Sequence, residues 1–296
     1  SRWMMVIVYL ATIAVAGTVC AQQDDEELKP RKITLKTKDG IELRAFYFPS
    51  DKGKKAITVL LVHEWQGQAS PYRNLVLALR EAGCAVLVPD YRGHGGSREY
   101  INARGRKDQF NIATMNRRDV EAIVAYDLEK AKAFLKEEND EERLNLNSLV
   151  VIGVREGCVM AARWAQRDWS FPSVGSVKQG QDVKALVFIS PEKQIKGIGI
   201  DPAVNQPTIF SLPIMIVAGG NSPEAAEAKR LGKRLESQKR RIGQGEASGF
   251  EMKLLRTNLG GPSLVNEVGP VIPGIVSFIK NNVDIANEAN EWIKRE

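Results

Sequence analysis

Apolar and polar positions alternate in two short runs near the start of the chain, Lys32 to Lys38 and Ile41 to Phe48, separated by Asp39-Gly40. A period of two on both sides of an Asp-Gly pair predicts an antiparallel hairpin with one buried face. The pattern then changes. Ala56 to His63, Cys84 to Pro89, Leu149 to Ile152, Val183 to Ser190 and Pro213 to Ala218 are apolar on both faces, as strands in the middle of a parallel sheet must be, and Phe250 to Arg256 reads as the last strand. Helical stretches fall between them: Pro71 to Ala82 with proline at its start, Arg118 to Glu138, an Ala-rich run after Gly157, Pro223 to Gln238, and Ser263 to Val283. This alternation predicts an α/β fold over residues 33–283, a mostly parallel, doubly wound sheet of about eight strands with helices on both faces. Residues 284–296 are expected to form a helical tail. Three stretches show neither period: Arg98 to Arg118, expected as a mobile excursion at the strand ends, Trp169 to Gln181, and Pro191 to Leu212.

The hydropathy of the first residues bears on location. Arg2, an apolar run from Trp3 to Val19 and the small Ala21 precede an acidic stretch beginning Gln22-Gln23-Asp24-Asp25. The pattern predicts a signal peptide over 1–21, an acidic linker over 22–32, and a protein exported to the periplasm or extracellular space. An uncleaved membrane anchor is the alternative, and the segment is the one expected membrane contact. After cleavage Cys84 and Cys158 remain, expected as buried thiols on separate parts of the sheet.

Composition changes the picture little. With 296 residues, 43% hydrophobic and 26% charged, the chain is an ordinary globular one. The net charge of +6 comes in large part from Lys229, Arg230, Lys233, Arg234, Lys239, Arg240 and Arg241. Interleaved with Glu224, Glu227 and Glu236, they read as a solvated helix face rather than a nucleic-acid surface.

The candidate chemistry lies at Gly153-Val154-Arg155-Glu156-Gly157, between a β-branched run and a helix. Strand, tight glycine-flanked turn and helix form the frame of a nucleophile elbow. Its centre is Arg155, whose guanidinium carries only donors and stays protonated, so it cannot attack a carbonyl.

With Leu60-Leu-Val-His63 and Val88-Pro-Asp-Tyr-Arg-Gly-His-Gly-Gly-Ser97 in the same order and spacing, the chain resembles the α/β-hydrolase superfamily, especially its dienelactone-hydrolase and serine-aminopeptidase-like branches. The resemblance implies a second strand running antiparallel. It also implies a site above the strand ends, where the backbone N–H groups of Glu64 and Glu156 would meet, and hydrolysis of esters, lactones or peptides. The family's acid position falls on Ser222 and its histidine position near Gly261, within Asn258-Leu-Gly-Gly-Pro-Ser263. Glu224 could serve as a displaced acid but reads more simply as a first-turn helix residue. The chain has two histidines, His63 and His94, and both precede the elbow.

No catalytic residue is therefore assigned. The expectation is a non-catalytic binding or partner protein, a pseudo-hydrolase, with an active hydrolase using an unconventional nucleophile as the rival. No cofactor and no metal are implied, and His63 and His94 read as structural. Arg155, Glu156, Glu64 and Trp65 are the candidate pocket or anion-binding residues for a small anionic ligand. Two readings of Arg155 stay open: an anion site at a helix N-terminus, or an internal plug paired with Glu64, Asp90 or Glu156.

Overall fold

The computed structural model describes residues 28–174, 178–243 and 248–295. The expected signal peptide at 1–21 and most of the linker lie outside the described residues. Eight strands make the main sheet: β1 (Arg31–Lys36), β2 (Glu42–Phe48), β3 (Ile57–Val62), β4 (Ala85–Pro89), β5 (Asn145–Val154), β6 (Val183–Ile189), β7 (Ile214–Gly219) and β8 (Phe250–Leu255). Their order is β1-β2-β4-β3-β5-β6-β7-β8. β2 runs antiparallel to both β1 and β4, and the remaining pairs are parallel.

Side-chain period explains these positions. β1 and β2 alternate between exposed and covered residues at the edge, whereas β5, in the middle, is buried throughout. Helices α1 (Arg73–Glu81), α2 (Arg117–Ala122), α3 (Leu128–Asp140), α4 (Glu156–Ser170), α5 (Ala225–Ile242), α6 (Gly261–Glu267) and α7 (Val271–Asn282) cover the two faces. Leu60, Val62, Val151 and Leu186 pack against Val120, Leu128, Met160, Trp164 and Leu231 on one face. Val59, Leu61, Val150, Ile152 and Val187 pack against Leu75, Ile275 and Phe278 on the other. Burying each such side chain stabilises the fold by roughly 1.5–3 kcal/mol.

The structure differs from the sequence expectation at five places. Between α2 and α3 the helix widens into a π turn, Ile123–Asp127. The extra residue lets Asp127 turn inward to Arg92, at 2.6 Å, while Ile123 and Leu128 stay in the core. The single helix expected over Ser263 to Val283 is two, α6 and α7, meeting at 93° across Gly269-Pro270. The excursion after β4 carries a short hairpin, Glu99–Ile101 with Lys107–Gln109, and the stretch 191–212 a two-residue ribbon and two single-turn helices.

The fifth difference is the tail, whose described residues are not helical beyond one 3-10 turn, Glu288–Asn290. Its backbone is claimed by side-chain amides from the end of α3 and the start of β5. Asn145 donates to Asn290 O at 2.8 Å, Asn147 to Glu291 O at 2.8 Å, and Asn139 to Ile293 O at 3.0 Å. Arg295 then reaches the buried carboxylate of Asp182.

Candidate functional site

The elbow stands at the upper end of β5. Arg155 has φ +50° and ψ −119°, a conformation that costs a side-chain-bearing residue of order 1–3 kcal/mol and persists because its surroundings hold it. Those surroundings are specific. The Arg155 N–H donates to Ile189 O at 2.9 Å, and its carbonyl accepts from Cys158 N at 3.0 Å. The flanking glycines are required by close approach: a Cβ on Gly153 would come within 2.6 Å of Cys158 Cα, and one on Gly157 would collide with the carbonyl oxygens of Val62 and His63. The helix that follows, α4, is thereby pressed onto β3.

The guanidinium is shared between two carboxylates. Its Nη1 lies 3.1 Å from Glu224 Oε1, and its Nη2 donates to Glu192 Oε1 at 3.3 Å. Neither partner is among the expected ones. Glu64 instead accepts from the Tyr72 hydroxyl, and Asp90 from the N–H groups of Ala69 and Gly96, both at 2.8 Å. Glu156, the third expected partner, turns to the loop after β3 and accepts from Trp65 N at 3.3 Å. The N–H one residue beyond Glu64 is therefore occupied by a carboxylate of the chain itself.

Glu224 precedes α5 as its N-cap residue, but it is not a solvated helix opener. It is buried, and neither carboxylate oxygen has a hydrogen-bond partner among the described residues; the Arg155 cation is what balances it. It also fixes the turn after β8, because a Cβ at Gly260 would strike its carboxylate. Ser222, at the expected acid position, is buried with its Oγ unpartnered. Gly261, at the expected histidine position, has φ +56°, and a Cβ there would lie 2.9 Å from Arg155 Cδ. Its N–H donates to Ser190 Oγ at 2.9 Å. The glycine turn thus packs straight onto the arginine stem.

Four carboxylates, Glu64, Glu156, Glu192 and Glu224, surround one guanidinium. Burial pushes the Glu64 carboxyl above its usual range against the opposing pull of the Tyr72 hydroxyl. Burial likewise raises Glu192, assisted by the neighbouring Glu156 charge.

His63 and His94 sit in one aromatic stack below the site. The His63 ring lies 4.3 Å from that of Tyr91, which is 4.3 Å from His94, and Trp65 meets His94 edge-on at 4.5 Å. Each Nδ1 faces a backbone carbonyl, Glu64 O at 2.8 Å and Arg92 O at 2.9 Å. Burial pushes the imidazoles down to about 4 for His63 and about 3 for His94. Among the described residues no group of three or more His, Cys, Asp and Glu side chains is placed to hold a metal. Cys158 is buried with its Sγ 3.6 Å from Ile189 O, and burial raises its thiol well above the ordinary range. Cys84 is likewise buried and free.

No family model matches the chain. Over 67 residues it is 37% identical to uncharacterised proteins of two Mycobacterium tuberculosis strains, 23% of this chain and 24% of theirs. The chain spans about a quarter of the length of the curated relatives it matches. Solved structures match much further: an esterase of Pyrococcus furiosus at TM-score 0.60 and 16% identity, covering 88% of this chain and 94% of that one. A dienelactone hydrolase of Anabaena variabilis follows at 0.57 and 14%, covering 86% and 99%. A fungal esterase of Rhizomucor miehei stands at 0.57 and 12%, covering 90% and 89%. The chain has the α/β-hydrolase fold.

Within the α/β-hydrolase fold the elbow, the loop after β7 and the loop after β8 converge above the sheet, and they do so here. They bring together Arg155, Glu224 and the Gly260-Gly261 turn. Sequence reasoning located the elbow, weighed Glu224 as a displaced acid without preferring it, and missed Glu192. Glu192 lies in the turn after β6, and its N–H approaches Arg155 O at 3.4 Å. No local pattern marks it, since its role comes from where β6 ends relative to β5.

Proposed function

We propose that this chain is a non-catalytic α/β-hydrolase-fold protein, exported by its N-terminal segment, that acts by binding rather than by turnover. The observation that carries this reading is the Arg155–Glu224 pair with the Gly260-Gly261 turn packed against it. An esterase elbow needs a nucleophile with a lone pair, a base to take its proton, and free donors for the oxyanion. The elbow side chain is instead a cation without a lone pair, a glycine stands where a base would, and the Trp65 N–H is engaged by Glu156. Four carboxylates around one guanidinium also disfavour a small anion at Arg155 unless it displaces Glu192, the more exposed of its two partners. The plugged reading of the elbow is the one adopted, with a protein partner or a ligand engaging the protein elsewhere.

The similar solved structures include esterases and a dienelactone hydrolase, so the test is activity itself. Purified protein is treated with a fluorophosphonate probe and assayed with an activated aryl ester. No covalent labelling is expected, and no turnover above that of Arg155→Ala. Stoichiometric labelling of a serine would establish an active hydrolase instead. Export is checked separately by N-terminal sequencing from the native host, where a start near Gln22 is expected and an intact Trp3 to Val19 segment on a soluble cytoplasmic protein would count against it.

A further inference from the structure

Away from the elbow, the π turn Ile123–Asp127 shapes two clefts on the face formed by α2, α3 and α4. One, of 370 Å³, has an apolar floor of Val120, Val124, Val159, Met160 and Ile198, with Arg163 and Arg167 at its rim. The other, of 560 Å³, is lined by Lys36, Lys38, Lys130, Tyr126 and Phe171. Both share Ala125 and Arg167, so they are two halves of one depression. The π turn accounts for the shape. Asp127 is drawn inward by Arg92, itself paired with Asp39 at 2.7 Å, so the extra residue pushes Tyr126 outward and leaves hollows on both sides of Ala125.

The charge in this depression is unbalanced. Five cations, Lys36, Lys38, Lys130, Arg163 and Arg167, face two lining carboxylates, Glu121 and Glu129, and a third, Glu137, lies 3.5 Å from Lys130. Glu129 is already engaged by Arg167 at 3.3 Å and by Trp164 Nε1 at 2.9 Å. Arg163 donates to Gln166 Oε1 at 3.1 Å, and among the described residues it has no carboxylate partner; nor have Lys36 and Lys38. Arg167 also lies over the Phe171 ring at 5.2 Å. An apolar half beside a cationic half is the complement of an organic anion with a hydrophobic body.

We propose that this depression is a binding site for a small amphipathic organic anion. Its acid group sits among Lys36, Lys38, Lys130 and Arg167, and its apolar body on Val124, Ala125 and the edge of Ile198. Arg163 lies eight residues along α4 from Arg155, roughly 12 Å at 1.5 Å per residue, so this site is separate from the elbow and independent of how the elbow is read.

The probe is 1-anilinonaphthalene-8-sulfonate, with N-phenyl-1-naphthylamine as its uncharged counterpart. Wild-type protein is expected to bind the sulfonate at one saturable site. Lys36→Glu and Lys38→Glu, both at exposed positions, should each weaken that binding about tenfold while leaving the uncharged probe within twofold. Ala125→Trp, which fills the shared ridge, should abolish both, with far-ultraviolet circular dichroism unchanged. Displacement by octanoate or by 1-naphthoate then tells an acyl body from an aromatic one. Sulfonate binding that survives Ala125→Trp, or that is indifferent to the charge reversals, or that neither acid displaces, would overturn the proposal.

Discussion

Arg155 and Glu224 meet at 3.1 Å across the upper end of the sheet, the arginine from the turn after β5 and the glutamate from the start of α5. The arginine side chain is 36% exposed and the glutamate 1%, so the pair is lopsided. Removing the cation leaves a buried carboxylate without a hydrogen bond, whereas removing the carboxylate leaves a guanidinium that can still reach Glu192 and water.

Arg155→Met is accordingly expected to destabilise the fold more than Glu224→Gln. The cost for the first is about 2 kcal/mol, between the roughly 1 kcal/mol of exposed pairs and the roughly 3–5 kcal/mol of fully buried ones. Urea denaturation of the two single variants and the double variant reads this. The double variant should lie closer to wild type than Arg155→Met alone, and strict additivity would show that the pair is not coupled.

Arg155→Ser is expected to create no esterase. The serine would occupy the right turn but lack a base, and Gly261→His does not cure this, because position 261 has φ +56° and abuts the Arg155 stem. Turnover of an activated aryl ester by Arg155→Ser should match Arg155→Ala within twofold. A rise of tenfold or more would mean that another group, such as one of the elbow glutamates, accepts the proton.

How far the fold could be read in advance follows from where each signal resides. Doubly buried runs such as Leu60 to Val62 and Val150 to Ile152 have one stable home, between helices, so strand identity was legible. The glycines at 153 and 157 are demanded by contacts within a few residues of the turn, so the elbow was legible too. Glu192 and Glu224 were harder, since their role depends on three loops converging from β5, β6 and β7. The π turn escaped because its cause, the Arg92–Asp127 pair, joins residues 35 apart. The tail was misread because Asn139, Asn145 and Asn147 take up its backbone carbonyls, and nothing within 284–296 signals that.

Asp182 is the keystone of a buried ion cluster beneath the sheet. It meets Lys132 at 2.9 Å, Lys178 at 3.2 Å and Arg295 from the tail, and the three cations hold its carboxyl below the usual range against the effect of burial. Asp182→Asn should destabilise the protein by about 3–5 kcal/mol, because three cations then lose their common partner. Arg295→Met should cost less, since two cations still serve the aspartate, but should loosen the tail. Hydrogen exchange at residues 289–295 rising in Arg295→Met while the sheet stays protected is the expected pattern. Uniform loss of protection would assign the tail to the global core.

His63 and His94 make stability depend on pH. Unfolded histidine titrates near 6.5, whereas burial pushes the folded groups down to about 4 and about 3. As pH falls below about 6.5 the unfolded chain takes up protons that the folded chain refuses, so their contribution is complete above that pH and drains away toward about 4 for His63 and about 3 for His94. Each histidine can remove up to about 1.4 kcal/mol per pH unit within its window, or roughly 4 kcal/mol for the pair between pH 7 and pH 5. The facing carboxyls work the other way: burial raises Glu64 and Asp90, so acidification relieves the cost of keeping them ionised. The histidine contribution is isolated by His63→Phe, which keeps an aromatic ring against Tyr91. Urea unfolding at pH 7 and pH 5 should show a stability loss that is smaller in the variant by His63's own share, roughly 2 kcal/mol. An imidazole resonance of the folded protein titrating near pH 6.5 would refute the argument for that histidine.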